Sequence, residues 1–291
     1  MNYLAHFGLR EPPFGITPDT SFFFACRSTQ EALNVLLVAV GNGEGFIKIT
    51  GEVGTGKTLL CRKFLRTVGS GSVTAYLPNP MVDSRGLFAA IAEELGVGAH
   101  AQDEPRLVLR AITHALLKHA REGRRVVLCL DEAQAMPIET LEAVRLLTNL
   151  ETEKRKLLQV VLFGQPELDH RLAEPPIRQL AQRITFEYRL RGLDADEVGT
   201  YLSHRLTVAG YRREPLFSAG AIAALHRASA GVPRLVNILA HKAMLGAFGE
   251  GVGRVERRHV RLAISDTPAA RPTARWWAWL APGFARVRTS R

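Results

Sequence analysis

An eight-residue stretch rich in glycine places the strongest constraint on how this chain folds. The stretch consists of Gly51, Glu52, Val53, Gly54, Thr55, Gly56, Lys57 and Thr58. It fits the pattern G-x-x-x-x-G-K-S/T of a phosphate-binding loop. Glycines let such a loop wrap closely around phosphate oxygens and point its backbone N–H groups inward. The lysine supplies a positive charge for the β- and γ-phosphates, and the threonine hydroxyl can bind Mg²⁺.

The residues on either side of this loop predict the strand and the helix that it needs. Residues 46–50, Phe-Ile-Lys-Ile-Thr, favour a strand that ends at the loop. Residues 59–65, Leu-Leu-Cys-Arg-Lys-Phe-Leu, favour the helix that follows, and the N-terminus of a helix attracts an anion. We therefore predict that residues 51–58 bind nucleotide phosphates.

An apolar strand that ends in two carboxylates forms the second half of the predicted site. Residues 126–130, Val-Val-Leu-Cys-Leu, lead directly into Asp131 and Glu132. A carboxylate at such a strand end can hold Mg²⁺ through water, so we assign Asp131 and Thr58 to the metal. We assign Glu132 as the general base that polarises the attacking water. Because adjacent strand residues point to opposite faces, the two carboxylates need not compete for one metal.

Four further polar side chains lie where they can reach the phosphates. Gln165 follows the fourth predicted strand and can contact the γ-phosphate or the attacking water. Arg178 and Arg183 precede the fifth strand, where an arginine can reach into the site of a neighbouring subunit as a finger on developing phosphate charge. Arg234 begins a helix of a second domain and can fold back onto the nucleotide.

Apolar runs alternate with helical patterns up to about residue 192, and helical patterns alone follow. The five predicted strands are residues 46–50, 73–77, 125–130, 157–163 and 184–190. This alternation predicts an α/β fold with a parallel sheet covered by helices. We divide the chain into an N-terminal segment that packs on the ATPase core (1–45), an α/β nucleotide-binding domain (46–192), an all-helical lid domain (193–266) and a flexible basic tail (267–291).

The charge and cysteine content narrow the class of protein. The formal net charge is +10, but nine arginines lie between Arg254 and Arg291 against Glu256 and Asp266, so much of the excess belongs to the C-terminal end. The three cysteines have no metal-binding spacing and are expected to be reduced. Without a signal peptide or an apolar run of membrane-spanning length, we expect a cytoplasmic protein.

These motifs, in this order, resemble those of the AAA+ ATPases. The resemblance covers about residues 30–264 and implies a Walker A loop at 51–58, a Walker B motif at Asp131 and Glu132, and Gln165 and Arg234 as the two sensors. It implies ATP and Mg²⁺ as cofactors and a five-stranded sheet followed by a small helical lid. It also implies a homo-oligomer, a hexamer or another ring, in which the finger is Arg183 as first choice and Arg178 as second.

A narrower resemblance covers nearly the whole chain. The stretches that carry it, besides the loop, are residues 7–9, 13–14, 17–19, 131–134, 146–152, 164–168 and 179–183. They resemble the general secretion pathway protein A (ExeA) family. Residues 30–39 and 43–48 look most like the branch that serves biogenesis of the mannose-sensitive haemagglutinin (MSHA) pilus. Members of the family usually continue into a membrane helix and a peptidoglycan-binding domain, for which these 291 residues hold no counterpart, and this favours the pilus branch.

The resemblance implies an ATPase whose hydrolysis drives assembly of a type IV pilus or a related secretion machine. Its partners are then machinery proteins at the inner membrane. The first alternative is a DNA-associated AAA+ regulator of the transposition type, which the basic charge favours, although no DNA-binding module follows the small domain. The second is a scaffold that binds ATP with little turnover, against which Glu132 argues. The tail, with its arginines and Trp276, Trp277 and Trp279, is expected either to attach to an anionic membrane surface or an acidic partner, or to cap the small domain.

Overall fold

The apolar runs of the sequence form one sheet of five parallel strands. The computed structural model describes residues 2–69, 71–98, 103–152 and 155–270. The strands are β1 (Phe46–Gly51), β2 (Ser72–Leu77), β3 (Arg125–Leu130), β4 (Glu151–Thr152), β5 (Arg155–Lys156), β6 (Gln159–Gly164) and β7 (Ile184–Leu190). The large sheet has the order β2-β3-β6-β1-β7, and β4 and β5 form a separate antiparallel hairpin. This order places the carboxyl ends of β3, β6 and β1 side by side at one edge.

Helices cover both faces of the sheet and form a separate group after it. They are α1 (Tyr3–Phe7), α2 (Arg27–Asn42), α3 (Lys57–Thr67), α4 (Ser84–Glu94), α5 (Pro105–Arg121), α6 (Ile138–Leu147), α7 (Glu167–Leu172), α8 (Arg178–Ala181), α9 (Ala195–Val208), α10 (Ala219–Ser229), α11 (Pro233–Gly249) and α12 (Arg257–Ser265). The group after the sheet, α9 to α12, has its own buried core. Asp194 is the N-cap of α9 and forms a capping box with Glu197. The side chain of Asp194 accepts a hydrogen bond from the backbone N–H of Glu197, and the side chain of Glu197 accepts one from the backbone N–H of Asp194.

Alternate residues of each central strand point to opposite faces and build two apolar layers. On one face, Leu128 and Leu162 pack with α4, α5 and α6. On the other face, Cys129 and Phe163 pack with α2 and α3. Burial on both faces explains why β3 and β6 are continuous apolar runs in the sequence.

The N-terminal segment divides between the two parts of the molecule, which differs from the expectation for residues 1–45. Phe7, Phe14 and Phe22 are buried in the core of α9 to α12, whereas α2 packs on the sheet beside β7. The aromatic residues pack on the helical group because its apolar face is open to them. The sheet face next to them is already covered by α2 and α3.

Two expectations concern membrane contact. None of the helices in the described ranges combines the length and the apolar character needed to cross a bilayer. The flexible tail was predicted over 267–291, but its first residues belong to the helical group: Pro268–Ala270 form a short 3₁₀ helix, and Thr267 and Ala270 are buried. The rest of the predicted tail, with Trp276, Trp277 and Trp279, lies outside the described residues.

Candidate nucleotide-binding site

The glycine-rich loop joins the end of β1 to the start of α3, as its sequence predicts. Gly54 and Gly56 have φ angles of 84° and 98°, a left-handed conformation that glycine adopts without steric cost. Thr55 Oγ1 donates to the carbonyl oxygen of Glu52 at 2.8 Å, which closes the turn. The loop is thus pre-formed, with α3 beginning at Lys57.

The loop lysine is buried among backbone oxygens. Lys57 Nζ donates to the carbonyl oxygens of Gly51 at 2.7 Å and of Glu52 at 3.1 Å. Burial lowers the pKa of Lys57, while nearby carboxylates, Glu132 first among them, act in the opposite direction. A polyanion at the loop would supply the counter-charge that this desolvated ammonium needs.

A hydroxyl and a carboxylate meet beside the loop. Thr58 Oγ1 donates to Asp131 Oδ2 at 2.7 Å, and the other carboxylate oxygen accepts from the backbone N–H of Glu132 at 3.0 Å. Burial raises the pKa of Asp131, so this carboxylate would gain from a cation. The described residues contain no cluster of three or more His, Cys, Asp or Glu that could enclose a metal. A threonine hydroxyl beside one carboxylate is a donor set that suits Mg²⁺, which commonly takes one or two carboxylates and completes its shell with phosphates and water.

Glu132 lies in a turn and not on the strand, which corrects the argument from strand alternation. β3 ends at Leu130, and Glu132 has a φ of 54°, rare for a residue with a side chain. Its Oε2 accepts from Gln134 Nε2 at 2.6 Å and from Gln165 Nε2 at 3.2 Å. The turn directs the carboxylate of Glu132 towards the end of β6, where Gln165 follows the strand.

Gln134 is the member of this group that sequence reasoning missed. Besides donating to Glu132, its Oε1 accepts from the backbone N–H of Gln165 at 3.0 Å, and its carbonyl oxygen accepts from Arg171. One amide side chain therefore connects the turns after β3 and β6. The only signal in the sequence is its place two residues after Glu132, within the stretch 131–134.

Arg234 is brought to the loop from the helical group. Its backbone N–H donates to the carbonyl oxygen of Gly54 at 3.2 Å, and a methyl group built on Gly54 would lie 2.5 Å from the Cβ of Arg234. The start of α11 therefore packs directly on the loop. Arg234 lines the same cleft as Lys57, Glu132 and Gln165.

The cleft above the loop has a volume of about 180 Å³. Its far wall comes from residues 15–18 of the N-terminal segment and from three side chains of the helical group, Tyr201, Arg205 and Asn237. These wall residues were not predicted. One signal for them is that a charged residue, Arg205, occupies the apolar face of α9.

Hydrogen bonds fix this far wall. Arg205 Nη1 donates to Tyr201 Oη at 3.0 Å, and Tyr201 Oη donates to Asn237 Oδ1 at 2.9 Å. Asn237 Nδ2 donates to the carbonyl oxygen of Gly15 at 3.3 Å. The buried guanidinium of Arg205 lies 4.6 Å from the centre of the Phe22 ring. The wall thus joins the N-terminal segment to the helical group.

The two arginines considered as fingers lie away from the cleft of their own chain. Arg183 Nη1 donates to Asn149 Oδ1 at 2.5 Å and approaches Thr148 Oγ1 at 3.5 Å. Arg178 is exposed at the start of α8. Neither residue lines the cleft, so the structure brings together all of the predicted site residues except these two.

Comparisons with known proteins agree with the fold and with the glycine-rich loop. Residues 40–172 match the family described as AAA domain. The structure is similar to ORC2 of Aeropyrum pernix in ADPNP–ADP complexes, with a TM-score of 0.61, 18% identity and coverage of 86% of this chain and 72% of that chain. It is also similar to Cdc6p of Pyrobaculum aerophilum, with a TM-score of 0.65, 17% identity and coverage of 85% and 70%. The chain has the α/β fold of the AAA P-loop NTPases, which confirms the predicted fold class.

One curated relative is much closer in sequence. The chain is 40% identical over 278 residues to general secretion pathway protein A of Aeromonas hydrophila. The alignment covers 96% of this chain and 51% of the relative. The chain therefore spans about half the length of this relative, and the similarity agrees with the resemblance seen in the sequence motifs.

Proposed function

We propose that the protein is a Mg²⁺-dependent AAA+ ATPase that supports a secretion or envelope-assembly machine. The observation that carries the ATPase proposal is the meeting of three chemical groups at one edge of the sheet. Lys57 is a buried cation in the loop, Thr58 and Asp131 are hydrogen-bonded beside it, and Glu132 is held by a neighbouring amide. These groups match the needs of phosphoryl transfer, which are charge neutralisation, metal binding and a positioned base.

Each residue has a defined task in this proposal. Lys57 exchanges its two carbonyl acceptors for phosphate oxygens, and Thr58 and Asp131 hold Mg²⁺. When bound, this metal neutralises charge on the β- and γ-phosphate oxygens. Glu132 accepts a proton from the attacking water. Gln165 and Gln134 fix the direction in which the carboxylate of Glu132 points.

The biological role is proposed from the relatives. The similarity to general secretion pathway protein A supports work at a secretion or envelope machine. Within that range we propose biogenesis of an MSHA-type type IV pilus, as served by MshM, which residues 30–39 and 43–48 resemble most. The proposal includes a homo-oligomeric ring, a cytoplasmic location with peripheral contact at the inner membrane, and machinery proteins as partners.

Two variants test the enzymatic part. Lys57→Ala should abolish ATP binding, because the phosphates lose their buried charge partner. Glu132→Gln should retain binding and lose turnover by about 10²-fold or more, because only the base is removed. Binding is measured with a fluorescent ATP analogue, and turnover by phosphate release.

Matched controls make the assignment specific. Lys63→Ala removes a lysine from the exposed side of the same helix, α3. Glu139→Gln removes an exposed carboxylate from the start of α6. Both controls should keep wild-type binding and turnover. Equal loss of ATP binding in Lys57→Ala and Glu132→Gln would contradict the assigned tasks, and normal turnover in Glu132→Gln would leave no role for the base.

The same variants test the biological part. In a host that carries the gene, a deletion strain should lose surface pili or secreted cargo. Wild-type protein should restore them, and the Glu132→Gln protein should not. Restoration by Glu132→Gln would favour the scaffold alternative. A deletion that leaves pili and secretion unchanged would remove the envelope role while leaving the ATPase assignment intact.

A further inference from the structure

The outer face of α5 is the surface feature that the nucleotide site leaves unexplained. Four apolar residues of this helix pack into the core of the molecule: Val108, Ile112, Ala115 and Leu116. The exposed side carries basic residues along most of its length: Arg106, Arg110, His114, Lys118 and Arg121. We call these five residues the basic stripe.

The first part of the basic stripe is unfavourable for an isolated helix. Arg106 and Arg110 are four residues apart, which brings two positive charges together on successive turns. Arg106 lies in the first turn, where the helix dipole disfavours positive charge. At the other end of the helix, the ion pairs of Glu122 go to His119 and Arg124 and not to a member of the stripe. The hydrogen bond from Arg124 is the main cause that lowers the pKa of the Glu122 carboxyl, and the charge of Lys118 acts in the same direction with a smaller effect.

The stripe borders a large cleft of the described part of the chain. The cleft has a volume of about 870 Å³ and lies against α5 and the turn after α4. Its apolar lining comes from Leu95, Val97, Leu107, Ala111 and Leu117. Leu107 is 57% exposed, unusual for leucine beside a groove. Four members of the stripe line the same cleft, and no acidic side chain of the described residues does.

We propose that this cleft binds an acidic, amphipathic helical segment of a partner protein. The apolar lining of the cleft is complementary to hydrocarbon side chains of a partner, and the basic stripe is complementary to carboxylates of that partner. The stripe runs over about 15 residues, or about 22 Å at 1.5 Å per residue, so a segment of about four helical turns can lie along it. A helix laid in a groove with apolar anchors and charged flanks is a common mode of peptide recognition.

The same features disfavour the other anionic occupants. A nucleic acid would meet the basic stripe but offers no apolar side chains for the lining. An anionic membrane is flat and cannot enter a cleft. The proposal does not depend on hydrolysis, because no member of the stripe lines the nucleotide cleft.

A peptide selection tests the proposal. A display library of random peptides of about 16 residues is selected on the wild-type protein. The enriched peptides should carry net negative charge and apolar residues at helical spacing. One enriched peptide is then synthesised, and its affinity is measured by fluorescence anisotropy.

Two variants and a matched control separate specific from general attraction. Arg110→Glu combined with Lys118→Glu should lower the affinity for the peptide by about tenfold or more. Leu107→Asp should also lower this affinity, because it places a charge in the apolar lining. Arg257→Glu with Arg261→Glu makes the same change in charge at exposed positions of α12 and should leave affinity within about twofold. All variants should retain ATP binding and the wild-type circular dichroism spectrum, since every changed residue is exposed.

Three outcomes would overturn the proposal. The first is equal weakening by the two charge-reversal pairs, which would mean attraction to net charge alone. The second is that no acidic peptide is enriched. The third is that a single-stranded oligonucleotide or phosphatidylglycerol vesicles bind through Arg110 and Lys118 while the selected peptides do not, which would assign the cleft to nucleic acid or to membrane.

Discussion

Replacing Gly54 by alanine should measure how tightly the phosphate-binding loop and the helical group are packed together. Gly54 has a φ of 84°, and a Cβ at this position would lie 2.5 Å from the Cβ of Arg234. The left-handed conformation costs alanine about 1–2 kcal/mol. The contact is about 1 Å shorter than a normal carbon–carbon contact, so the start of α11 has to move, at an overpacking cost of about 1–3 kcal/mol.

The neighbouring glycine provides the matched control. Gly56 has a φ of 98°, and a Cβ there would meet no atom within 4 Å. Gly56→Ala should therefore lower the free energy of unfolding by the backbone cost alone, about 1–2 kcal/mol. Gly54→Ala should lower it by about 2–5 kcal/mol, the sum of both costs. Urea unfolding of the nucleotide-free protein, followed by circular dichroism, measures the two values without interference from lost ATP binding.

A double-mutant cycle isolates the contact itself. Arg234→Gly removes the Cβ that the new methyl group would meet, so Gly54→Ala should cost about 1–3 kcal/mol less in that background. The backbone cost at Gly54 should remain. If Gly54→Ala and Gly56→Ala destabilise the protein equally, or if Arg234→Gly gives no relief, the close packing of α11 on the loop is refuted.

Two further predictions concern the subunit contact and the effect of pH. Arg183→Ala should leave ATP affinity nearly intact and lower turnover strongly, and mixing it with Lys57→Ala protein should restore activity if Arg183 acts across the subunit contact; a mixture no more active than the sum of its parts would contradict this. Burial lowers the pKa of His241, which packs against the ring of Tyr3. Because the unfolded chain then binds the extra proton more readily, the stability that His241 contributes is complete above its ordinary pKa of 6.5 and is lost as the pH falls below it. His241→Asn should therefore reduce the decrease in unfolding free energy between about pH 7 and pH 5. If the variant shows the same decrease as the wild-type protein, His241 does not cause it.

Local signals made most of the secondary structure predictable. The strand over 125–130 was predicted with its observed bounds, because a strand that is buried on both faces has a continuous apolar run in its sequence. The place of the glycine-rich loop between β1 and α3, and that of Asp131 after β3, were predictable because each is marked by a few adjacent residues. The predicted strand over 157–163 begins two residues early, since Leu157 and Leu158 are buried ahead of β6 without belonging to it. The hairpin of β4 and β5 was missed, because strands of two residues carry no periodicity.

Contacts between distant residues could not be predicted in the same way. Arg205 and Gly15 are 190 positions apart and meet at 3.3 Å in the far wall of the cleft. No local pattern indicates which apolar surface the N-terminal aromatic residues cover, because three separate cores are available to them. Gln134 was quoted only as part of a motif, and its link to Glu132 depends on the left-handed turn of that residue. A turn of this kind is set by the surrounding structure and not by the preference of glutamate.

The N-terminal segment gives the molecule two chain crossings between the sheet and the helical group. One crossing runs through residues 26–27, where the N–H of Arg27 donates to Glu197 at 2.9 Å. The other runs through residues 191–193, and the two are adjacent, since the N–H of Arg191 donates to Ser28 Oγ at 3.0 Å. Because the sheet and the helical group are connected at two neighbouring points, they rotate relative to each other most easily about the line through those points. The start of α11 is held beside the second crossing, since the N–H of Leu193 donates to the carbonyl oxygen of Gly231 at 2.8 Å. Arg234 follows three residues later, so any rotation about that line would be felt first at its contact with Gly54.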